Sequence, residues 1–222
     1  MIMLIHLAVL TAALCQSLAG QSVPANNPQT KEVRARDAKG LAPRPAAADY
    51  QVHAQAGTAT IAAEFAGHGV PTPDGVFSTE EYVVVEVAVF GPPGTRLTLS
   101  YQDFSLRING KKSPLAAQPF ELAFHSLKDP EWTPAAAPES KSKTGINSGG
   151  QGGEPPPPPA KMPLDLTLAM ERKVRAASLP EGERPLPAAG LIFFQYGGKL
   201  SGIRSVELLY NGAAGKATLT LQ

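Results

Sequence analysis

The chain has 222 residues, enough for one domain with a buried core and terminal extensions. It contains 21 Gly and 22 Pro, while 6% of its residues are aromatic and 18% are charged, a composition that favours strands, turns and loops over a helical bundle. With 20 Lys and Arg against 19 Asp and Glu, the net charge of +1 excludes the strongly basic surface that nucleic-acid binding requires, and the single Cys excludes an intramolecular disulfide.

Residues 1–20 have the pattern of a secretory signal peptide. The apolar run that ends at Leu14 is shorter than the ~20 residues of a membrane-spanning helix, and Ser17 and Ala19 fit the small-residue rule for cleavage near Ala19. We therefore predict export to the periplasm or the extracellular space. Because no Lys or Arg precedes the apolar run, an uncleaved anchor is the alternative, and it would be the protein's only contact with a membrane.

Cys15 raises the question of a lipid anchor, since lipidated cysteines follow short apolar runs. The residue before such a cysteine is normally small, whereas here it is Leu14. Lipid anchoring at Cys15 is therefore not favoured.

Residues 21–56 are polar and show no sustained apolar period. Segments of this composition do not bury enough apolar surface to fold, so we predict a disordered leader here and a folded domain over residues 57–222.

Alternating apolar residues predict strands throughout that domain. The strongest pattern is Tyr82 to Phe90, in which Val83, Val85, Val87 and Val89 share one face. Further strands are predicted at residues 58–65, 96–101, 104–108, 120–124, 191–196, 205–210 and 217–221. Tight turns between most of them predict a mainly β fold, an antiparallel β-sandwich of seven or eight strands.

Two segments interrupt the strands. Residues 126–163 contain nine Pro and five Gly, including five consecutive Pro at 155–159, and are predicted to form a long disordered loop. Residues 164–177 then predict one short inserted helix, because Leu166, Met170, Val174 and Ala177 fall on a single helical face.

Several of these segments together resemble secreted bacterial immunoglobulin-like domains of unknown function, an uncharacterised group from soil bacteria. The similarity lies in the Val-rich strand 82–90, in Leu97-Thr98-Leu99, in Asp103-Phe104-Ser105-Leu106 followed by Asn109-Gly110-Lys111-Lys112, and in Gly190-Leu191-Ile192-Phe193-Phe194. It covers residues 58–222 apart from the Pro/Gly-rich loop. The resemblance implies an immunoglobulin-like sandwich and a preceding export signal, and it implies no activity.

Motifs that carry catalysis or cofactor binding are absent from the sequence. It has no Gly-x-Ser-x-Gly elbow, His-Glu-x-x-His pair, phosphate-binding loop or dinucleotide fingerprint. We predict a non-enzymatic protein without a cofactor or a resident metal.

Three residues are candidates for a binding surface: Trp132, His68 and His125. A lone Trp at the root of a loop can contact a partner, and the two His could approach one another in space, although their spacing does not indicate a metal site. Glu86, Arg96 and Arg107 are candidates for a structural polar network. Glu86 either faces solvent or is a buried acid paired with Arg96 or Arg107.

The sequence thus predicts an exported interaction or cell-envelope module whose partner is an unknown protein or envelope component. The alternative is a secreted domain that binds a small molecule, a carbohydrate or a metal through Trp132, His68 and His125. A hydrolase that uses His125 or Glu86 is the third hypothesis.

Overall fold

The computed structural model describes residues 38–132 and 162–222. These ranges contain thirteen strands and one α-helix, and all pairings between the strands are antiparallel. The elements are β1 (Val52–Ala56), β2 (Ala59–Gly67), β3 (Gly69–Thr72), β4 (Gly75–Thr79), β5 (Tyr82–Phe90), β6 (Arg96–Leu99), β7 (Phe104–Ile108), β8 (Leu115–Gln118), β9 (Leu127–Lys128), α1 (Leu164–Ala177), β10 (Gly182–Pro185), β11 (Ala188–Gln195), β12 (Val206–Gly212) and β13 (Gly215–Thr220).

Eight strands form one barrel-like sheet in the order β1-β2-β5-β11-β8-β7-β12-β13. Its two end strands lie side by side: the Gln51 side chain donates to the carbonyl oxygen of Leu221, 2.5 Å away. At the opposite end of β1, a Cβ on Gly57 would lie 2.1 Å from the carbonyl oxygen of Ala214. No backbone ladder joins β1 to β13 in the described ranges, so these contacts close a seam.

The inside of the sheet is filled by apolar side chains from alternate strand positions, as a pleated sheet with one face turned inward requires. Val83, Val85, Val87 and Val89 of β5 all belong to this core, which confirms the face predicted from their alternation. The core also includes Ile61, Leu99, Phe104, Leu106, Ile108, Ile192, Phe194, Val206, Leu208, Tyr210 and Leu219.

The outer face of β5 and β11 is covered by two separate groups of elements. The first, which we call the outer layer, consists of the sheet β3-β4-β9, the 3-10 helix Phe120–Ser126 and α1; it buries Tyr82, Val84, Leu191 and Phe193. The second, which we call the strap, is residues 38–50, and it covers Ala62, Ala88 and Ala189. β5 is therefore apolar on both faces because both of them are buried.

The structure confirms a mainly β, antiparallel fold with an inserted helix at 164–177, and β5 and β7 have the predicted bounds. The more specific immunoglobulin-like sandwich is not confirmed, because the main strands form a single barrel-like sheet. A separate two-stranded sheet pairs β6 with β10.

Two predictions were wrong. Residues 120–124 belong to a 3-10 helix, in which Ala123 is buried while Leu122 is exposed, so the apolar residues do not share one strand face. Residues 38–56 of the expected leader are part of the fold, because Tyr50 is buried on the sheet and residues 52–56 form β1.

The signal peptide 1–20 with Cys15, residues 21–37, and residues 133–161 of the Pro/Gly-rich segment lie outside the described residues. The start of that segment is described: Leu127 and Lys128 form β9 and pair with Thr79 and Ser78 of β4.

Candidate interaction surface

The outer layer is held to the barrel-like sheet by its own apolar face. Met170, Val174 and Ala177 of α1 pack with Phe77 of β4 and with Ala123 of the 3-10 helix over the sheet. The three buried positions on α1 repeat at intervals of four and three residues, which confirms the predicted helical face. The remaining surface of the layer is left to solvent.

Four large apolar side chains of the outer layer are exposed to solvent. Leu164 and Leu168 of α1 are 72% and 46% exposed, and a spacing of four residues places them on one helix face. Val76 of β4 and Leu122 of the 3-10 helix are also exposed. In the described part of the chain, these four are joined by only one other exposed large apolar residue, Leu200. Four of these five residues thus belong to elements of the outer layer.

The outer layer also carries charged side chains, two of them in ion pairs. Lys173 Nζ lies 3.4 Å from Asp74 Oδ2, and Lys128 Nζ lies 2.6 Å from Glu80 Oε1. Arg172 is exposed and follows Leu168 by four residues, so it continues the same helix face.

Trp132 lies at the edge of the outer layer, four residues after β9. The Trp132 backbone N–H donates to the carbonyl oxygen of Asp129 at 3.2 Å, and the Glu131 N–H donates to Asp129 Oδ1 at 2.9 Å. These bonds form a turn that positions the indole, which is half-exposed. Trp132 thus stays a candidate for the binding surface on the basis of its position after β9.

His68 connects the outer layer to the barrel-like sheet. Its Nδ1 lies 2.6 Å from the carbonyl oxygen of Tyr82, its Nε2 lies 3.0 Å from that of Gly198, and its ring stacks on Tyr196. Since both ring nitrogens already face backbone oxygens, neither is free to bind a metal or a ligand. His68 is a structural residue in this arrangement.

His125 is exposed on the 3-10 helix, next to a buried hydrogen bond. The neighbouring Ser126 Oγ lies 2.6 Å from Thr79 Oγ1, and the Thr79 N–H donates to the carbonyl oxygen of His68 at 2.9 Å. Thr79 therefore contacts both the backbone of His68 and the residue after His125, but no described contact joins the two His rings to one another or to Trp132. Residues 38–132 and 162–222 contain no cluster of three His, Cys, Asp or Glu residues that could hold a metal.

Glu86, Arg96 and Arg107 do not form one network. Arg96 Nε lies 3.1 Å from Glu183 Oε1 across β6 and β10, and Arg107 Nη1 lies 2.9 Å from Glu207 Oε2 across β7 and β12. Each is a cross-strand pair between register partners or near neighbours.

Glu86 pairs with a residue that sequence analysis did not consider. Its Oε2 accepts from Arg44 Nη2 of the strap at 3.2 Å, and its side chain is 13% exposed. Burial raises the pKa of the Glu86 carboxyl, Arg44 lowers it in part, and the neighbouring Glu64 raises it further. Arg44 was missed because it lies 42 residues earlier, in the segment predicted to be disordered.

Comparison with models of protein families, with curated proteins and with solved structures finds no match for this chain. No helix in the described ranges has the length and apolar character needed to cross a membrane.

Proposed function

We propose that the protein is an exported, non-enzymatic interaction or cell-envelope module that binds its partner through the outer layer. The observation that carries this proposal is the exposure of Leu164 and Leu168 on one face of α1. Val76 and Leu122, on other elements of the outer layer, are exposed as well. Burial of such side chains against a partner removes apolar surface from water and supports binding.

The barrel-like sheet supplies the scaffold for this surface. Its inside is occupied by the chain's own large side chains, among them Phe104, Phe194 and Tyr210. The contacts of a partner therefore fall on the outside of the fold. Export and the resemblance to secreted immunoglobulin-like domains are parts of the proposal that rest on the sequence.

The test is capture from the envelope fraction of the source organism with the full chain, with and without Leu164→Asp plus Leu168→Asp. The control is Lys112→Asp, in the exposed connection between β7 and β8, which changes the net charge by the same two units and lies outside the outer layer. We expect a partner that is retained by the wild type and the control and reduced at least about tenfold by the double variant, as loss of a hot spot would produce.

Equal recovery by all three proteins would show that the outer layer is not the binding surface. Failure of the wild type to recover any envelope component would overturn the interaction role itself. Thermal melts of the three proteins should coincide, since the substituted side chains are exposed.

A further inference from the structure

The outer face of the barrel-like sheet carries a trough of small side chains beneath the strap. Ala62, Ala88 and Ala189 are register partners across β2, β5 and β11, and all three are buried. Tyr50, Leu41 and Ala47 of the strap pack over them. A row of methyl groups leaves a depression in a close-packed surface, and the larger side chains of the strap fill it.

An acid pair lies next to this trough. Glu64 and Glu86 are register partners on β2 and β5, so their side chains are neighbours on the outer face. Arg44 of the strap serves both: its Nη1 lies 2.5 Å from Glu64 Oε2, and its Nη2 lies 3.2 Å from Glu86 Oε2. The two carboxylates are complementary to a cationic side chain such as a guanidinium.

The strap keeps its own shape through internal hydrogen bonds. The Arg44 N–H donates to the Tyr50 hydroxyl at 3.1 Å, Arg44 Nη1 donates to the carbonyl oxygen of Asp49 at 2.7 Å, and the Ala46 N–H donates to Asp49 Oδ2 at 2.9 Å. The Arg44 guanidinium also lies 4.5 Å from the centre of the Tyr50 ring. This part of the strap is therefore a preorganised loop.

Backbone hydrogen bonds hold the strap to the rest of the fold at its beginning only. Gly40 N–H donates to Ala176 of α1 and Leu41 N–H donates to Ala189 of β11, both at 2.9 Å. Residues 42–50 make no backbone hydrogen bond to the remainder of the described chain. The sheet recognises them through side chains: an arginine for the acid pair, and a tyrosine and small apolar groups for the trough.

We propose that the alanine trough and the acid pair form a second protein-binding site, for a short looped segment that carries an arginine and an aromatic residue, and that the strap is its resident occupant. A site that holds its occupant through side chains accepts another segment with the same side chains when the strap lifts away. The binding segment needs an arginine because two carboxylates border the trough. Binding of such a segment and docking of the strap exclude one another.

The test uses a fluorescently labelled peptide with the sequence of residues 40–51, added to the full chain and followed by anisotropy. Arg44→Ala weakens the resident strap and leaves the acid pair in place. We expect this variant to bind the peptide at least about tenfold more tightly than the wild type does, since the strap loses its contact with two carboxylates. A peptide with Ala at the position of Arg44, and a protein that also carries Glu64→Gln and Glu86→Gln, should each lose that binding.

A folded Arg44→Ala protein that does not bind the peptide would overturn the proposal. Equal binding of the peptide that lacks the arginine would do the same. Should Arg44→Ala not fold, hydrogen exchange of the wild type decides: excess peptide should speed exchange of the Leu41 amide and leave the amides of β5 and β11 unchanged. No change at Leu41 would contradict a displaceable strap.

This site is independent of the outer-layer surface proposed above. The Leu164→Asp plus Leu168→Asp variant should retain the response to the peptide, because neither leucine contacts the trough or the acid pair in the described contacts. Failure of either proposal therefore leaves the other standing.

Discussion

Glu86 is the charged residue in the middle of a strand that is otherwise apolar, and its surroundings set its response to pH. Burial raises the pKa of its carboxyl more than Arg44 lowers it. The folded state therefore binds the proton of the Glu86 carboxyl more tightly than the unfolded chain does, in which Glu titrates at about pH 4.3. By linkage, the stability that Glu86 contributes is greatest below that pH and is lost as the pH rises through the higher folded value.

Glu86→Gln should remove this pH dependence. We expect the free energy of unfolding of the wild type, minus that of the variant, to fall between pH 3 and pH 7, because the folded state holds the Glu86 proton more tightly than the unfolded chain does. Urea unfolding at a series of pH values measures the difference. Glu183→Gln, in the exposed pair with Arg96, is the control. A difference that grows with pH would mean that the attraction of Arg44 outweighs burial.

The character of Glu86 could be predicted from the sequence, but its partner could not. An acid within an alternating apolar strand indicates either a solvated face or a buried ion pair, and the structure has a pair. The partner comes from a segment whose polar composition indicates disorder. That segment is ordered because Tyr50 and Leu41 bury themselves on alanines of three distant strands, a contact that local sequence does not reveal.

At the scale of elements, the chain after α1 crosses β11 at Gly190. The Leu179 N–H donates to the carbonyl oxygen of Leu191 at 3.0 Å, and Ser178 forms a parallel bridge with Leu191. A Cβ on Gly190 would lie 2.4 Å from Leu179 Cα and 2.6 Å from Leu179 N. Both are backbone atoms, so a change of side-chain rotamer cannot relieve the clash. The backbone around Leu179 would have to move.

Gly190→Ala should therefore destabilise the protein by roughly 3 kcal/mol or more, at the upper end of overpacking effects. The control is Gly197→Ala, since a Cβ there meets nothing within 4 Å. Chemical unfolding of both variants gives the comparison. If Gly190→Ala cost less than about 1 kcal/mol, the close approach of α1's C-terminal connection to β11 would be wrong.

Elements with a strong, sustained period were predictable, and short ones were not. β5 has the predicted bounds because its Val residues alternate along the whole strand. α1 has them because its apolar residues repeat about every four positions over several turns. β3 and β4 have only four and five residues, with Gly and Pro among them, so no period is established. The 3-10 helix at 120–126 has the sequence pattern of a strand, since Phe120, Leu122 and Phe124 occupy every second position.

At the scale of the whole molecule, alternation predicts that strands have a buried face but not how the sheet closes. A sandwich and a barrel place the same alternate residues inside. Here the strands follow one order from β1 to β13, and the two end strands meet at a seam. Closure depends on contacts between residues at opposite ends of the domain, such as Gln51 and Leu221, which are 170 residues apart.

The Gln51 side chain bridges this seam, so its removal should lower the free energy of unfolding of the whole fold. Its Nε2 donates to the carbonyl oxygen of Leu221 at 2.5 Å, and its Oε1 accepts from the Phe65 N–H at 2.9 Å, so one amide links β1, the end of β2 and the residue after β13. Gln51→Ala removes both bonds, and at about 1 kcal/mol each it should lower the free energy of unfolding by about 2 kcal/mol.

Gln55→Ala is the matched control, because the bonds of Gln55 to Gly57 and Thr60 stay within the β1-β2 hairpin. The rate of amide hydrogen exchange should rise in β1 and β13 of the Gln51 variant, and it should not rise in β13 of the control. Equal exchange rates in the two variants would show that the seam closes without this side chain.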